Sequence, residues 1–229
     1  LPGRAAAAAP PPPVLVGIAG GSGCGKTTLA RAIAARAGPG VVVLSTDSYY
    51  RTLGEEERLR ALEGGVNFDR PEAVDLELLA EHLRHIRADR GWPLALPSYD
   101  FATHRRQDAS VALQRPRALL LEGLFVLAVP ELRELLDLRV FVRGEADECL
   151  VRRLRRDAVE RGIPLEASLT QYERFVRPAF SSLVQPSEAH ADLLVPGLDA
   201  EGRAAEAVAA WLASRGGPAG SCAANASRG

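Results

Sequence analysis

The sequence predicts an α/β fold: a five-stranded parallel sheet covered by helices, with a β-hairpin excursion and a helical lid. Three observations lead there. Short, mostly apolar runs of five or six residues recur along the chain and alternate with longer amphipathic segments. A glycine-rich stretch, GIAGGSGCGKTT at 17–28, lies between the first apolar run and the first amphipathic one. Two long segments, 46–73 and 92–117, break the alternation.

VLVGIA (14–19) has the continuous apolarity of a strand buried on both faces, and the helical pattern of 26–37 follows the glycines. VVVLS (41–45) is the second strand. Residues 46–73 are polar and glycine-bearing, and are expected to form a long connection. Helix 74–89 carries His82 and His85 at i,i+3; with no third ligand evident, a solvated face is expected for both. Between prolines, 92–117 holds two short extended runs, expected as a hairpin leaving the sheet as a substrate loop. ALLLE (118–122), LRVFV (138–142) and ADLLVP (191–196) complete the five strands, with helices over 130–136, 145–160, 166–181 and 201–213.

The ends are different. LPGRAAAAAPPPP (1–13) lacks the apolar core of a secretory signal and is expected to be an Ala/Pro-rich disordered arm. Residues 215–229 are expected to be a disordered tail, leaving one domain over 14–214. With no initiating Met, a piece of a longer chain is expected. The formal net charge of −1 gives no bulk field to recruit nucleic acid or an anionic membrane, so an anion must be held by local geometry. No apolar run approaches the roughly 18 residues of a membrane span. Three widely spaced cysteines without C-x-x-C fit neither a disulfide framework nor a zinc ribbon, and suit a reducing, cytoplasmic setting.

The chemistry starts from Lys26, the one lysine among 28 cationic side chains. It stands in G-x-x-x-x-G-K-[ST], formed by Gly20, Gly25, Lys26 and Thr27 between a strand and a helix. In such a P-loop the glycines let successive N–H groups point at one concave spot, and the helix adds its positive end. The lysine then meets phosphate oxygens and the threonine hydroxyl faces Mg²⁺. The motif implies a nucleoside triphosphate, leaving a GTPase switch, an ATPase motor and a small-molecule kinase open.

Asp47, just past the second strand, stands at the carboxyl edge where ligands bind in such sheets. It suits a general base or a share in metal binding, with a helix cap as the alternative. Glu122, at the end of a buried strand, can hold metal waters. In RRLRRDAVERG (152–162), the arginines suit a lid over a transferring phosphoryl group, against a solvated face paired with Asp157 and Glu160. His104, near Tyr99, Asp100 and Phe101, resembles part of a pocket for a polar ring.

In order along 14–196, GIAGGSGCGKTT, STDSYYR, NFDRPEAVD, PSYDFATHRR, LLLEGLFVL, RRLRRDAVERG and QYERFVRPAF followed by ADLLVP resemble the uridine kinases (uridine-cytidine kinases) of pyrimidine salvage. The resemblance implies Mg²⁺-dependent transfer from ATP to the 5′-hydroxyl of uridine or cytidine by a cytoplasmic tetramer, subject to feedback by pyrimidine triphosphates. It implies Asp47 as base, and Thr27 and Glu122 at the metal. Gly20, Gly21, Ser22, Gly23, Cys24, Gly25, Lys26, Thr27, Thr28, Arg156 and Arg161 fall to ATP. Asp69 and Arg153 fall to the ribose, Tyr99, Tyr50 and Phe68 to the pocket wall, and His104 and Gln171 to the pyrimidine edge. A related kinase for another nucleoside or phosphorylated sugar, or a nucleotide-binding regulator without turnover, are the alternatives. The chain departs from the family pattern at Ile163, where an Arg usually follows ERG, and at Glu188 and Ala189, where lysines are common. It also departs at Arg143, where an acid is frequent, and after Pro196, where Arg-Gly is usual.

Overall fold

The computed structural model describes residues 10–101, 103–199 and 202–215. The first strand, β1 (Val14–Gly20), leads through the glycine loop into α1 (Lys26–Ala37) and β2 (Val41–Ser45). Then come α2 (Glu55–Leu62), α3 (Leu76–Arg87), the hairpin strands β3 (Leu94–Asp100) and β4 (Arg105–Leu113), and β5 (Ala118–Glu122). The chain continues through α4 (Pro130–Arg133), β6 (Leu138–Arg143), α5 (Ala146–Glu160), α6 (Leu165–Gln171) and α7 (Arg177–Ala179), to β7 (Leu193–Pro196) and α8 (Arg203–Arg215).

The five-stranded sheet runs β2-β5-β1-β6-β7, parallel throughout, as the apolar runs predict. Side chains alternate across it with the period of two that strands impose. Leu15, Ala19, Leu119, Leu121 and Phe141 face a core shared with α3, α4 and the hairpin. Val16, Ile18, Ala118, Leu120, Val140 and Val142 face a second core built with α1 and α8. Both faces are covered, which is why these runs carry so few polar residues. In the order of the sheet, β1 stands between β5 and β6 while its own successor, β2, lies beyond β5. The crevice where ligands bind opens at that point of the carboxyl edge.

The predicted hairpin exists as a separate antiparallel pair, with a register shift between Leu96 and Ser98. Several expectations change. The connection 46–73 holds α2 and two short 3₁₀ turns, Thr46–Tyr49 and Pro71–Ala73. The last helix of the lid side does not stop near 181: π-helical turns at Tyr172–Val176 and Phe180–Val184 and a 3₁₀ stretch carry it to His190. His82 and His85 are half-buried rather than solvated. His82 Nδ1 lies 2.9 Å from the Tyr49 hydroxyl, and His85 packs edge-on against Trp92. At the ends, residues 1–9 and 216–229 of the expected arm and tail lie outside the described residues. Within them, Pro11 O accepts a 2.7 Å hydrogen bond from Arg115, and α8 continues through Arg215. No helix among the described residues is long and apolar enough to cross a membrane.

Candidate active site

The loop after β1 turns through glycines because only they fit. Gly23 has a positive φ of 79°, and a Cβ there would collide with the carbonyl of Cys149 on α5. Helix α1 begins immediately after Gly25 with no acidic residue in its first turn, so its positive end is left for an anion. The Lys26 side chain is only 9% exposed, and its Nζ donates to Gly21 O at 2.7 Å, folded back along the loop. Thr27 Oγ1 donates to Glu122 Oε1 at 3.2 Å. Ser45 supplies a second hydroxyl to that carboxylate. Burial pushes the Glu122 carboxyl above the usual carboxylate range, with Lys26 pulling the other way.

A buried carboxylate ringed by hydroxyls is an all-oxygen donor set, which suits a hard divalent cation such as Mg²⁺. Thr27 and Glu122 are the residues that would hold it, the usual one or two protein ligands that leave room for waters and phosphates. Asp47 lies in the 3₁₀ turn after β2. The capping role open to it is taken by Ser45, whose Oγ accepts from the Asp47 N–H at 3.3 Å. That leaves the Asp47 carboxylate to face the cleft, where Arg161 Nη2 approaches its Oδ2 to 3.4 Å.

From α5 the arginines reach across this cleft. Arg153 donates from Nη1 to Ser22 Oγ at 3.0 Å and from Nη2 to Gln171 Oε1 at 3.2 Å. Arg156 Nη2 lies 3.5 Å from Ser22 Oγ. Arg155 points to solvent and Arg152 pairs with Glu148 at 2.9 Å. Of the cluster, then, Arg153 and Arg156 reach the loop and Arg161 reaches Asp47, while Arg152 lines the cleft but is held by Glu148.

Opposite the phosphate loop, the 46–73 connection and the hairpin build an aromatic wall. Tyr50 packs against Phe68, Tyr99 and Phe101 with centroids 5.7, 5.5 and 6.3 Å apart. His104 stacks on Phe68 at 5.3 Å and an interplanar angle of 19°, and Arg161 covers the Phe101 ring at 4.1 Å. His104 sits in the hairpin turn with φ of 50°, an uncommon backbone for a non-glycine residue. Burial, and then the nearby Arg161, hold its imidazole below the ordinary value of 6.5. The Tyr99 hydroxyl and His104 Nδ1 are buried without a hydrogen-bond partner among the described residues. Such orphaned polar atoms in a pocket wall are what a polar ligand satisfies. Burial also pushes the Tyr99 phenol up to about 12 and raises the pKa of Asp69, which Arg153 opposes.

These walls enclose one cleft of about 580 Å³. Of the residues singled out from sequence, Ser22, Gly23, Gly25, Lys26, Thr27, Thr28, Asp47, Tyr50, Phe68, Asp69, Tyr99, His104, Glu122, Arg153, Arg156, Arg161 and Gln171 all line it. Gly20, Gly21 and Cys24 do not. Gly20 closes β1 against Val142, and the Cys24 side chain is buried in the second core. Sequence reasoning missed Ser45 as a partner of Glu122, although it opens the STDS stretch. Of the departures from the family pattern, Ile163 lines the cleft, whereas Arg143 and Glu188 form an exposed ion pair with each other.

The family model described as Phosphoribulokinase / Uridine kinase family matches residues 15–202. Uridine-cytidine kinase-like 1 of Mus musculus is 41% identical over 182 residues, covering 79% of this chain and 33% of that protein. The chain thus spans a third of the mouse relative. Uridine kinase of Geobacillus sp. (strain WCH70) is 41% identical over 187 residues, covering 80% of this chain and 85% of that one. The phosphoribulokinase of Rhodobacter spheroides shares the fold, with a TM-score of 0.59 at 20% identity over 81% of this chain and 70% of that one. The P-loop, the parallel sheet and the matched span agree: the chain belongs to the phosphoribulokinase/uridine kinase family.

Proposed function

We propose that the chain is an ATP-dependent kinase that phosphorylates the 5′-hydroxyl of uridine and cytidine, giving UMP or CMP and ADP. The observation that carries this reading is a single cleft joining a triphosphate loop to an aromatic pocket. The field of Asp47 reaches Glu122 on the phosphate side and Tyr50, Asp69 and Tyr99 on the other. The uridine kinase and uridine-cytidine kinase relatives support a pyrimidine nucleoside as acceptor.

In this reading Ser22, Gly23, Gly25, Lys26, Thr27 and Thr28 hold the donor phosphates, with Arg156 above them. Asp47 takes the proton of the 5′-hydroxyl as it attacks. Asp69 and Arg153 bind the ribose hydroxyls, while Tyr50, Phe68 and Tyr99 pack around the base. His104 is neutral near pH 7, so its free Nδ1 and the amide of Gln171 can match the pyrimidine edge. Magnesium, when bound at Thr27 and Glu122, supplies neutralisation of the charge shared between the β- and γ-phosphates. The protein's own contribution is positioning and charge complementarity. The proposal extends to a cytoplasmic setting, in keeping with the free thiols of Cys24 and Cys149, and to a homotetramer, supported by the resemblance alone.

The test is product formation from ATP with uridine, cytidine and purine nucleosides. UMP and CMP are expected, and Asp47→Asn should lower kcat by about 10²–10⁴-fold while nucleotide affinity is kept. ATP binding with no phosphorylated nucleoside would overturn the reading.

A further inference from the structure

Asp157 has no exposed surface, yet it lies on a helix among arginines. Its Oδ1 accepts from Arg156 Nη2 at 2.9 Å and lies 3.8 Å from Arg161 Nη1. Its Oδ2 lies 3.3 Å from Arg153 Nε and accepts from Ser168 Oγ of α6 at 2.8 Å. One carboxylate is therefore shared by three guanidiniums, all of which line the cleft. Asp157 is not itself part of the cleft wall.

The outer ends of these arginines go to three different places. Arg153 bridges Ser22 of the phosphate loop and Gln171 of α6, Arg156 approaches Ser22, and Arg161 approaches Asp47. Three like charges within little more than two turns, along α5 and its C-cap residue Arg161, repel one another, and each long side chain gains freedom by turning to solvent. A single ionised carboxylate beneath them opposes both tendencies. It also leaves an excess of two positive charges directed at the cleft. Burial alone would raise the Asp157 pKa, but Arg153 and Arg156, with hydrogen bonds from Arg156 and Ser168, hold it below the ordinary carboxylate range.

We propose that Asp157 is a positioning residue for phosphoryl transfer. It aligns Arg153, Arg156 and Arg161 on the donor phosphates, the nucleoside and the base without touching any substrate. The inference rests on the nucleoside-kinase reading above. Because the guanidiniums meet charge that redistributes during transfer, their alignment affects the transition state more than ground-state binding.

The experiment is Asp157→Asn, which keeps size and the Ser168 hydrogen bond but removes the charge, alone and combined with Arg156→Gln. With folding confirmed by circular dichroism, kcat should fall about 100-fold while ATP affinity weakens about three- to tenfold. In the Arg156→Gln background, Asp157→Asn should cost much less, because both changes disable the same unit. A folded Asp157→Asn with kcat within about threefold of wild type, or effects that add in full, overturns the inference. If Asp157→Asn does not fold, Ser168→Ala replaces it: kcat lowered about three- to tenfold at unchanged KM supports the inference, and wild-type kcat overturns it. Should the wild-type protein phosphorylate no nucleoside, the kinase reading fails instead. The Asp157 inference is then decided by ATP affinity: weaker in the variant upholds it, equal overturns it.

Discussion

Glu122 is 5% exposed at the end of β5, and its protein partners are the hydroxyls of Thr27 and Ser45. Burial raises its pKa above the ordinary 4.5. A carboxyl that ionises less readily in the folded state than in the unfolded one costs stability once the pH exceeds its unfolded value. Glu122→Gln should therefore raise Tm at pH 7.5, and the gain should shrink as the pH falls from the raised folded value toward 4.5. For a gain of about 1 kcal/mol, the rise is about 2–4 °C at this chain length. The same substitution removes the charged metal donor and should lower kcat at least about tenfold. Thermal scans at the two pH values, with steady-state rates, check both halves; a lower Tm at pH 7.5 contradicts the account. Lys26 carries a related lesson. Its composition anomaly was legible in the sequence, but its burial and the hydrogen bond to Gly21 are what confine the site to a slender ammonium. Arg143 and Glu188 show the reverse. As sequence they are two separate departures from a pattern; in the fold they are one ion pair, each accounting for the other.

The β3–β4 hairpin is fastened to the segment after β2 by Arg106 of β4. Its guanidinium donates to Asp75 Oδ2 at 3.2 Å and to Tyr49 O at 3.1 Å, while its backbone N–H reaches Thr52 Oγ1 at 3.1 Å. Asp75 in turn caps α3 through the Leu78 N–H, and Leu53 N–H donates to His104 O at 3.1 Å. Hairpin, the segment after β2 and the start of α3 are thus tied together, and the hairpin carries Tyr99 and His104. Arg106→Ala should raise KM for the nucleoside about tenfold or more, from charge-assisted bonds of about 1.5–3 kcal/mol, with KM for ATP unchanged. Arg106→Lys should not restore it, because an ammonium cannot span a carboxylate and a carbonyl as a fork does. Equal changes in both KM values would refute the clamp. The hairpin was legible from prolines and extended runs, whereas the clamp was not, since a partner 31 residues away is a tertiary fact. Helix α2 was missed for a different reason: it buries Ala61 but leaves Leu59 64% exposed, so it has no apolar stripe to read. Its three first-turn glutamates were the available signal.

Across the molecule, the strands were legible because burial on two faces writes continuous apolar runs, and the phosphate loop because its backbone demands glycine. The order β2-β5-β1-β6-β7 was not, since each strand's neighbours are chosen by the crossovers and not by its own residues. Nor was the role of Asp157, which reads as an exposed partner on a charged helix until α6 covers it. The two cores set the extent of the folding unit. The second depends on α8, where Ala205, Val208 and Leu212 are almost wholly buried. Arg117 ties this helix to the sheet and to α1, donating to Leu212 O at 3.3 Å and Ala37 O at 2.8 Å. At the other end, Arg115 holds Pro11 O at 2.7 Å and Asp89 Oδ2 at 2.6 Å. We therefore propose that residues 10–215 suffice for folding and turnover. A chain cut to these residues should keep kcat and KM within about twofold and Tm within about 2 °C. Ending instead before Leu212 removes a side chain with no exposed surface and opens the core beneath it, a change of about 2–5 kcal/mol or more. That shorter chain should lose its cooperative thermal transition. Should the 10–215 chain lose turnover while keeping Tm, an end segment contributes to the site; should it lose Tm as well, the folding unit is larger than the two cores.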